Sequence, residues 1–246
     1  MSGNSVMART IIAAVTFGER LRARLVPWLV DHAGIAALVL AVAYFSVRLH
    51  RDGITWGDDW ALYLRQAESL NEGNIGDVIA DNHFNVDNAA KPGFSPYVYP
   101  WGFPLLLAPF ARLFGNDWAR LKLIEVVALC MFLWCFHAVI RRRLHPVAAL
   151  GVVAVVGTSF TYLRYTGYLL SEYPYMASVA ATLWYLDRVR RDGRRLQHAT
   201  TRELVVLGLA AVWVFNIRRE GIALIAAIGV AQAADLWPGR QRAWRA

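Results

Sequence analysis

The sequence has little charge, only two cysteines and only two lysines. Charged residues make up 18% of its 246 residues, whereas 57% are hydrophobic and fall in long blocks. A soluble domain of this size distributes its apolar residues more evenly, so the composition argues against one. Cys130 and Cys135 lie in one apolar block at a spacing that helical geometry does not bring together, so no disulfide or metal framework follows from them.

Apolar stretches predict where helices cross a membrane. A bilayer core about 30 Å thick needs roughly 20 mostly apolar residues per helix, or fewer where aromatic or arginine side chains anchor the ends. The candidate stretches are residues 28–47, 119–140, 146–164, 172–187, 203–217 and 221–237, of which 203–217 is short and needs its flanking residues. We therefore expect an all-α fold, a polytopic membrane helix bundle with about six transmembrane helices.

Arginine clusters predict the orientation of this bundle. Sixteen of the 26 Lys and Arg residues lie in four patches, at residues 9–24, 141–143, 188–202 and 240–245. Six helices place all four patches on one side, which the positive-inside rule makes cytoplasmic. We therefore expect a multi-pass protein of the cell membrane with both termini in the cytoplasm. The other segments carry ten Lys and Arg against twelve Asp and Glu, so the net charge of +8 reflects topology and predicts no nucleic-acid partner.

The predicted organisation is a basic cytoplasmic N-terminus at 1–26, a membrane domain at 27–237 and a basic cytoplasmic tail at 238–246. Residues 48–118 form an outer loop, the one long connection in the chain, and long ordered loops commonly carry function. We expect two juxtamembrane helices in it, one from about residue 59 to 70 and one from 105 to 114, separated by irregular structure from Asn71 to Pro96.

The first of these helices has an amphipathic pattern. Positions 60, 63, 64, 67 and 70 are apolar at helical spacing, and we expect Arg65, Gln66 and Glu68 on the opposite face. Such a helix is expected to lie on the membrane surface. Asp58 and Asp59 precede it, and they either cap this helix or provide a general base or a cation site.

Two further charged clusters fall at the predicted outer ends of helices. Glu172, which follows Ser171, is either a helix-capping residue or a site carboxylate. Arg218, Arg219 and Glu220 follow the fifth apolar stretch, where the positive-inside rule does not explain two arginines. They form either a simple surface pair or a site for a lipid-borne phosphate, because a guanidinium presents a planar fork of donors to phosphate.

Lys122 and Glu125 also lie near an outer end, and their spacing fits a local ion pair. The acidic and basic clusters follow the first, third and fifth apolar stretches, so they are expected on the same side of the membrane. We expect them to converge on one outward cavity.

The order of these motifs resembles a known family, the polyprenyl-phosphate-sugar-dependent glycosyltransferases of GT-C type. Within this family the sequence resembles the branch with protein O-mannosyltransferases and the lipid A aminoarabinose transferase, over roughly residues 28–237. The motifs are Gly57-Asp58-Asp59, Tyr99-Pro100-Trp101-Gly102-Phe103-Pro104, Leu113-Phe114-Gly115, Arg120, Ser171-Glu172 and Arg218-Arg219-Glu220-Gly221.

The resemblance implies a hexosyltransferase-like enzyme of the cell envelope that moves a sugar from a polyprenyl phosphate to a hydroxyl acceptor. Asp58, with Asp59 beside it, matches the acidic position of the first loop, and Glu172 matches an acidic position after the third helix. Arg218, Arg219 and Glu220 match the motif near the carrier phosphate, although Arg219 stands where proline is common. No metal is required, and a divalent cation at Asp58 and Asp59 is an open alternative.

Family members usually continue with further helices and often a soluble C-terminal domain. The resemblance therefore implies a missing C-terminal half or a partner subunit. Two other classes stay open: a transporter or flippase for a lipid-linked or anionic substrate, and a non-catalytic membrane assembly subunit. A transporter is expected to place charges near the middle of the bilayer, whereas the middle parts of the first, third and fourth stretches are nearly free of charge.

Overall fold

The computed structural model describes residues 29–53, 59–91 and 95–236. Within these ranges every regular element is helical, which confirms the predicted all-α class. Both predicted cytoplasmic termini, 1–26 and 238–246, lie outside the described residues, and so does Asp58.

The α-helices of the described residues are, in chain order, α1 (Ile35–Arg48), α2 (Asp59–Glu72), α3 (Ile75–Asp87), α4 (Gly102–Phe114), α5 (Trp118–Leu121), α6 (Leu123–Ile140), α7 (Pro146–Gly157), α8 (Phe160–Tyr165), α9 (Glu172–Val189), α10 (Thr201–Ile217) and α11 (Ile222–Leu236). A π-helical turn, Leu29–Gly34, precedes α1, and short 3₁₀ helices occupy Arg191–Gly193, Leu196–His198 and Arg219–Gly221.

Helices lie at all of the predicted apolar stretches, but two of them are both long and apolar enough to cross a membrane. These are Asp31–Arg48 and Trp118–Ile140, among the described residues. The stretch 146–164 is divided into α7 and α8 at Thr158 and Ser159. The two long apolar helices give weak support for a membrane protein, and the six-span arrangement stays a prediction.

Helix α6 is the centre of the bundle. It packs against α1, α7 and α9, and α10 in turn packs against α9. Leu129 and Leu133 of α6 are fully buried, and they share a core with Val42 of α1, Val153 of α7 and Ala177 of α9. This apolar core holds together the helices whose ends carry the polar clusters.

A second core joins the bundle to the segment from α2 to α4, which we call the outer segment after the predicted outer loop. Helices α2 and α4 pack against each other and bury Tyr63, Ala67, Phe103 and Leu107. The predicted apolar face of α2 is therefore present, but it is covered by α4 rather than left for the membrane surface. The predicted position of Gln66 on the opposite face is wrong, since its side chain is 1% exposed.

The predicted irregular structure between Asn71 and Pro96 is also wrong, because α3 occupies its centre. Tertiary contacts stabilise this helix despite its Asn, Asp and Gly content. The Asn82 amide donates to the carbonyls of Pro96 (3.0 Å) and Tyr97, and Arg65 of α2 pairs with Asp81 at 3.1 Å. The outer segment therefore has three helices of thirteen or fourteen residues, α2, α3 and α4, rather than two.

Candidate functional site

A cavity of about 460 Å³ lies between the outer segment and the junction of α10 with α11. Three parts of the chain that are distant in sequence line it: the start of α2, residues 96–100, and residues 217–220. The lining residues are Asp59, Tyr63, Pro96, Val98, Tyr99, Pro100, Ile217, Arg218, Arg219 and Glu220. Of the residues predicted from the sequence, Asp59, Arg218, Arg219 and Glu220 thus share one cavity.

Arg218 connects the predicted acidic and basic clusters. Its Nη1 lies 2.7 Å from Glu172 Oε1, and its Nη2 lies 3.1 Å from Glu220 Oε1. Its side chain is 28% exposed. Burial alone would lower the pKa of Arg218, but the Glu220 and Glu172 carboxylates outweigh it and raise that pKa. The charge of Arg218 is therefore already compensated by two carboxylates.

The surface pair of Arg218 with Glu220 is present, as the simple alternative predicted, but it is one part of a larger network. The same guanidinium also holds Glu172 on α9. Arg218 in turn keeps the pKa of Glu220 below its usual range through their hydrogen bond.

The hydroxyl of Ser171 links three helices at this point. It accepts a hydrogen bond from Arg218 Nη1 at 3.3 Å and lies 3.0 Å from the hydroxyl of Tyr63 on α2. Ser171 occupies the N-cap position of α9, yet its side chain makes no capping hydrogen bond. Burial raises the pKa of Tyr63 to about 12, so this phenol stays protonated at neutral pH.

Asp59 accepts a hydrogen bond of 2.5 Å from the Tyr99 hydroxyl. Burial, followed by the Asp59 carboxylate, raises the pKa of Tyr99. The ring of Tyr99 packs on the ring of Tyr63 with 4.4 Å between centroids. The Tyr99 and Tyr63 side chains therefore connect Asp59 to Ser171. Whether Asp58 caps α2 or faces the cavity lies outside the described residues.

Gln66 is a site-supporting residue that the sequence analysis misplaced. Its amide donates to the Tyr99 carbonyl and accepts from the Tyr99 backbone N–H, both at 3.1 Å. This paired contact fixes the segment that carries Tyr99 against α2. Residues 63, 66 and 70 share one helical face, so the helical spacing placed Gln66 on the apolar face of α2.

Arg219 differs from Arg218 in its surroundings. It lines the cavity, is exposed, and forms no ion pair with any described residue. A guanidinium without a carboxylate partner keeps its full fork of donors for an anion. Arg219 is therefore the cation of this cavity that no described carboxylate neutralises.

Two glycines allow the backbone segments of this site to approach closely. A Cβ at Gly102 would lie 2.6 Å from backbone atoms of Asn216 and Ile217, so only glycine brings the start of α4 against the end of α10. A Cβ at Gly221 would lie 2.7 Å from the Phe215 backbone, which lets the chain turn back after Arg218. Both glycines belong to the motifs that the sequence analysis identified.

An apolar groove of about 390 Å³ lies between α4, α6, α9 and α10. Its walls are mostly Leu, Phe, Val and Ala side chains, with Arg120 among them. Arg120 pairs with Asp117 at 3.1 Å and lies over the Phe114 ring at 5.5 Å. Pro174 and Trp213 of the groove are on the helices that carry Glu172 and lead to Arg218.

The predicted ion pair between Lys122 and Glu125 is wrong, although both side chains are buried. The Lys122 ammonium donates to the carbonyl of Arg51 at 2.7 Å and to that of Gly53. Glu125 instead accepts from the backbone N–H of Leu170 at 3.2 Å. Lys122 therefore holds the residues after α1, and Glu125 holds the residues before α9.

No metal-type cluster of three or more His, Cys, Asp or Glu side chains occurs in residues 29–53, 59–91 and 95–236. Because Asp58 is not among them, a divalent cation at Asp58 and Asp59 stays a prediction. In the comparisons with known proteins, no family model, no curated protein and no solved structure matched this chain.

Proposed function

We propose that this chain is a membrane glycosyltransferase that transfers a sugar from a polyprenyl phosphate to a hydroxyl acceptor on the outer face of the membrane. The observation that carries the proposal is the single cavity lined by Asp59, Arg218, Arg219 and Glu220, with Glu172 bound to Arg218. A carboxylate that accepts a proton and a cation that binds phosphate are the two groups that such a transfer needs.

The proposed roles follow from the charge partners of each residue. Arg219 binds the carrier phosphate, since its guanidinium forms no ion pair with a described residue. Arg218 organises the site, because it is held by Glu172 and Glu220. Asp59, together with its neighbour Asp58, is the proposed base.

The chemical step is a substitution at the anomeric carbon of the donor sugar. The acceptor oxygen forms a bond to this carbon, and the bond from the carbon to the phosphate oxygen breaks. The bonding electrons leave with the phosphate, whose growing negative charge Arg219 stabilises. The acceptor proton passes to the carboxylate, and direct attack inverts the configuration.

The membrane arrangement in this proposal has six spans, cytoplasmic termini and the cavity on the outer side. The apolar groove between α4, α6, α9 and α10 is suited to a lipid chain, because its walls are almost wholly apolar.

The test measures transfer of radiolabelled sugar from a polyprenyl phosphate donor in membranes, with protein amount checked by blotting. Asp59→Asn retains an oxygen that accepts from Tyr99 but loses the charge, so transfer is expected to fall by about two to four orders of magnitude. Asp58→Asn, measured beside it, shows which carboxylate is the base. Arg219→Gln is expected to raise the donor KM.

Asp77→Asn is the matched control, because Asp77 is an exposed carboxylate on α3 away from the cavity. Its transfer activity should equal that of the unchanged protein. Full transfer by both Asp58→Asn and Asp59→Asn at equal protein amount would contradict the proposed base. Movement of labelled lipid across vesicles without any sugar transfer would favour a flippase instead.

A further inference from the structure

Glu125 is a buried acid that the proposed transfer does not use. Its side chain is 0% exposed and lies on α6, near the outer end of a helix long and apolar enough to span a membrane. One carboxyl oxygen accepts from the Leu170 N–H, and the other has no hydrogen-bond partner in the part of the chain that the structure describes. No Lys or Arg among the described residues forms an ion pair with it.

The surroundings of Glu125 disfavour a negative charge. Lys122, one turn earlier on the helix, directs its ammonium to the carbonyls of Arg51 and Gly53. On α9, Glu172 pairs with Arg218, and the Tyr173 hydroxyl donates to the Tyr162 carbonyl rather than to Glu125. An ionised carboxylate in a buried site without a cation is strongly unfavourable, whereas the neutral acid is tolerated.

The hydrogen bond of Glu125 reaches the site through the backbone. Leu170 immediately precedes Ser171, the N-cap of α9, and Glu172, its first residue, and both of these contact Arg218. Leu170 and Ser171 are buried as well, and no helical partner is available to the Leu170 N–H ahead of α9. The contact between Glu125 and Leu170 therefore lies directly before the two side chains that contact Arg218.

We propose that Glu125 is an uncharged carboxylic acid at neutral pH and a positioning residue, which holds the turn before α9 so that Ser171 and Glu172 face Arg218. The role in catalysis rests on the proposed function, whereas the protonation state and the contact with Leu170 do not. We therefore predict that the positioning role of residue 125 requires an acceptor oxygen but no negative charge.

Protonation is tested by infrared difference spectroscopy on the purified protein at neutral pH. The unchanged protein is expected to show the carbonyl stretch of a protonated carboxylic acid, and Glu125→Gln is expected to lose that band. Absence of a protonated-acid band assigned to Glu125 would overturn the inference.

Positioning is tested by hydrogen–deuterium exchange of the peptide that contains Leu170. Glu125→Leu removes the acceptor, so exchange at Leu170 should rise about five- to tenfold, the expected effect of one lost hydrogen bond. Glu125→Gln keeps an acceptor oxygen and should leave exchange unchanged. Glu125→Met replaces Glu125→Leu if the latter is poorly recovered.

Sugar transfer provides the last comparison. Glu125→Leu should reduce transfer by about 10²-fold, the effect of a displacement near 1 Å, while Glu125→Gln stays near the unchanged protein. Equal loss in both variants would contradict a positioning role for a neutral acid. If no variant transfers sugar while the band and the exchange behave as expected, the proposed function fails and this inference stands.

Discussion

Gly102 provides a sharp test of how the site is assembled, because its α4 backbone touches the end of α10. A Cβ at Gly102 would lie 2.6 Å from the Asn216 carbonyl and the Ile217 nitrogen, and backbone atoms cannot rotate away. Ordinary contact begins at 3.4 Å, so Gly102→Ala must move the two segments apart by about 0.8 Å, the difference between these distances. Arg218 follows Ile217 directly and shifts with it.

Two measurable losses follow from this displacement. Overpacking of this kind costs about 1–3 kcal/mol, which lowers Tm by roughly 2–12 °C for a chain of this size. A shift near 1 Å also reduces transfer by up to about 10²-fold. Tm is measured on the purified protein in detergent, and transfer is measured in membranes.

Gly208→Ala is the matched control, because Gly208 lies in α10 and, apart from its neighbours in that helix, no described atom lies within 4 Å of its added Cβ. Alanine in a helix is favoured over glycine by about 0.5–1 kcal/mol, so this variant should keep or raise Tm. The reasoning is refuted if Gly102→Ala matches Gly208→Ala in both Tm and transfer.

Three further predictions concern other links of the structure. Arg218→Lys keeps the charge but cannot span Glu172 and Glu220 with a planar fork, so transfer should fall about 10- to 10²-fold while blotting shows equal protein. Thr200→Ala removes the capping box at the start of α10 and should cost about 1 kcal/mol in thermal unfolding, with transfer per folded molecule unchanged. In a cysteine-free background, Asp77→Cys should react with an impermeant thiol reagent from outside and Arg191→Cys should not; the reverse pattern would overturn the predicted orientation.

The helix positions were predictable because burial of apolar surface is local in sequence. In the lipid environment predicted for the long apolar blocks, a helix satisfies the backbone groups away from water, so the blocks predict the helices and their approximate ends. The amphipathic pattern of α2 was predictable in the same way, apart from Gln66. A buried glutamine looks polar in the sequence, and its paired contact with Tyr99 depends on a segment far along the chain.

Helix α3 shows where local propensity fails. Its Asn, Asp and Gly residues favour loops in isolation. In the fold, the Asn82 amide is used to hold the Pro96 carbonyl, and Asp81 is used to pair with Arg65. Tertiary hydrogen bonds outweigh a weak propensity, and no local pattern contains them.

The residues of the candidate site were chosen from the sequence by charge at the ends of apolar blocks, since charge near a lipid environment is costly and needs a reason. Their partners were not predictable. The packing of α9 against α10 brings Glu172 to Arg218, and the close approach at Gly102 sets the distance between the start of α4 and the end of α10. The same packing directs Lys122 away from Glu125, although their spacing on one helix suggested a pair. Sequence by itself determined that the long apolar blocks are helical and which charges lie at the ends of those blocks, because both depend on near neighbours. Only the tertiary structure decided that Arg218 is charge-compensated while Arg219 remains available, because that depends on contacts between helices that are distant in the chain.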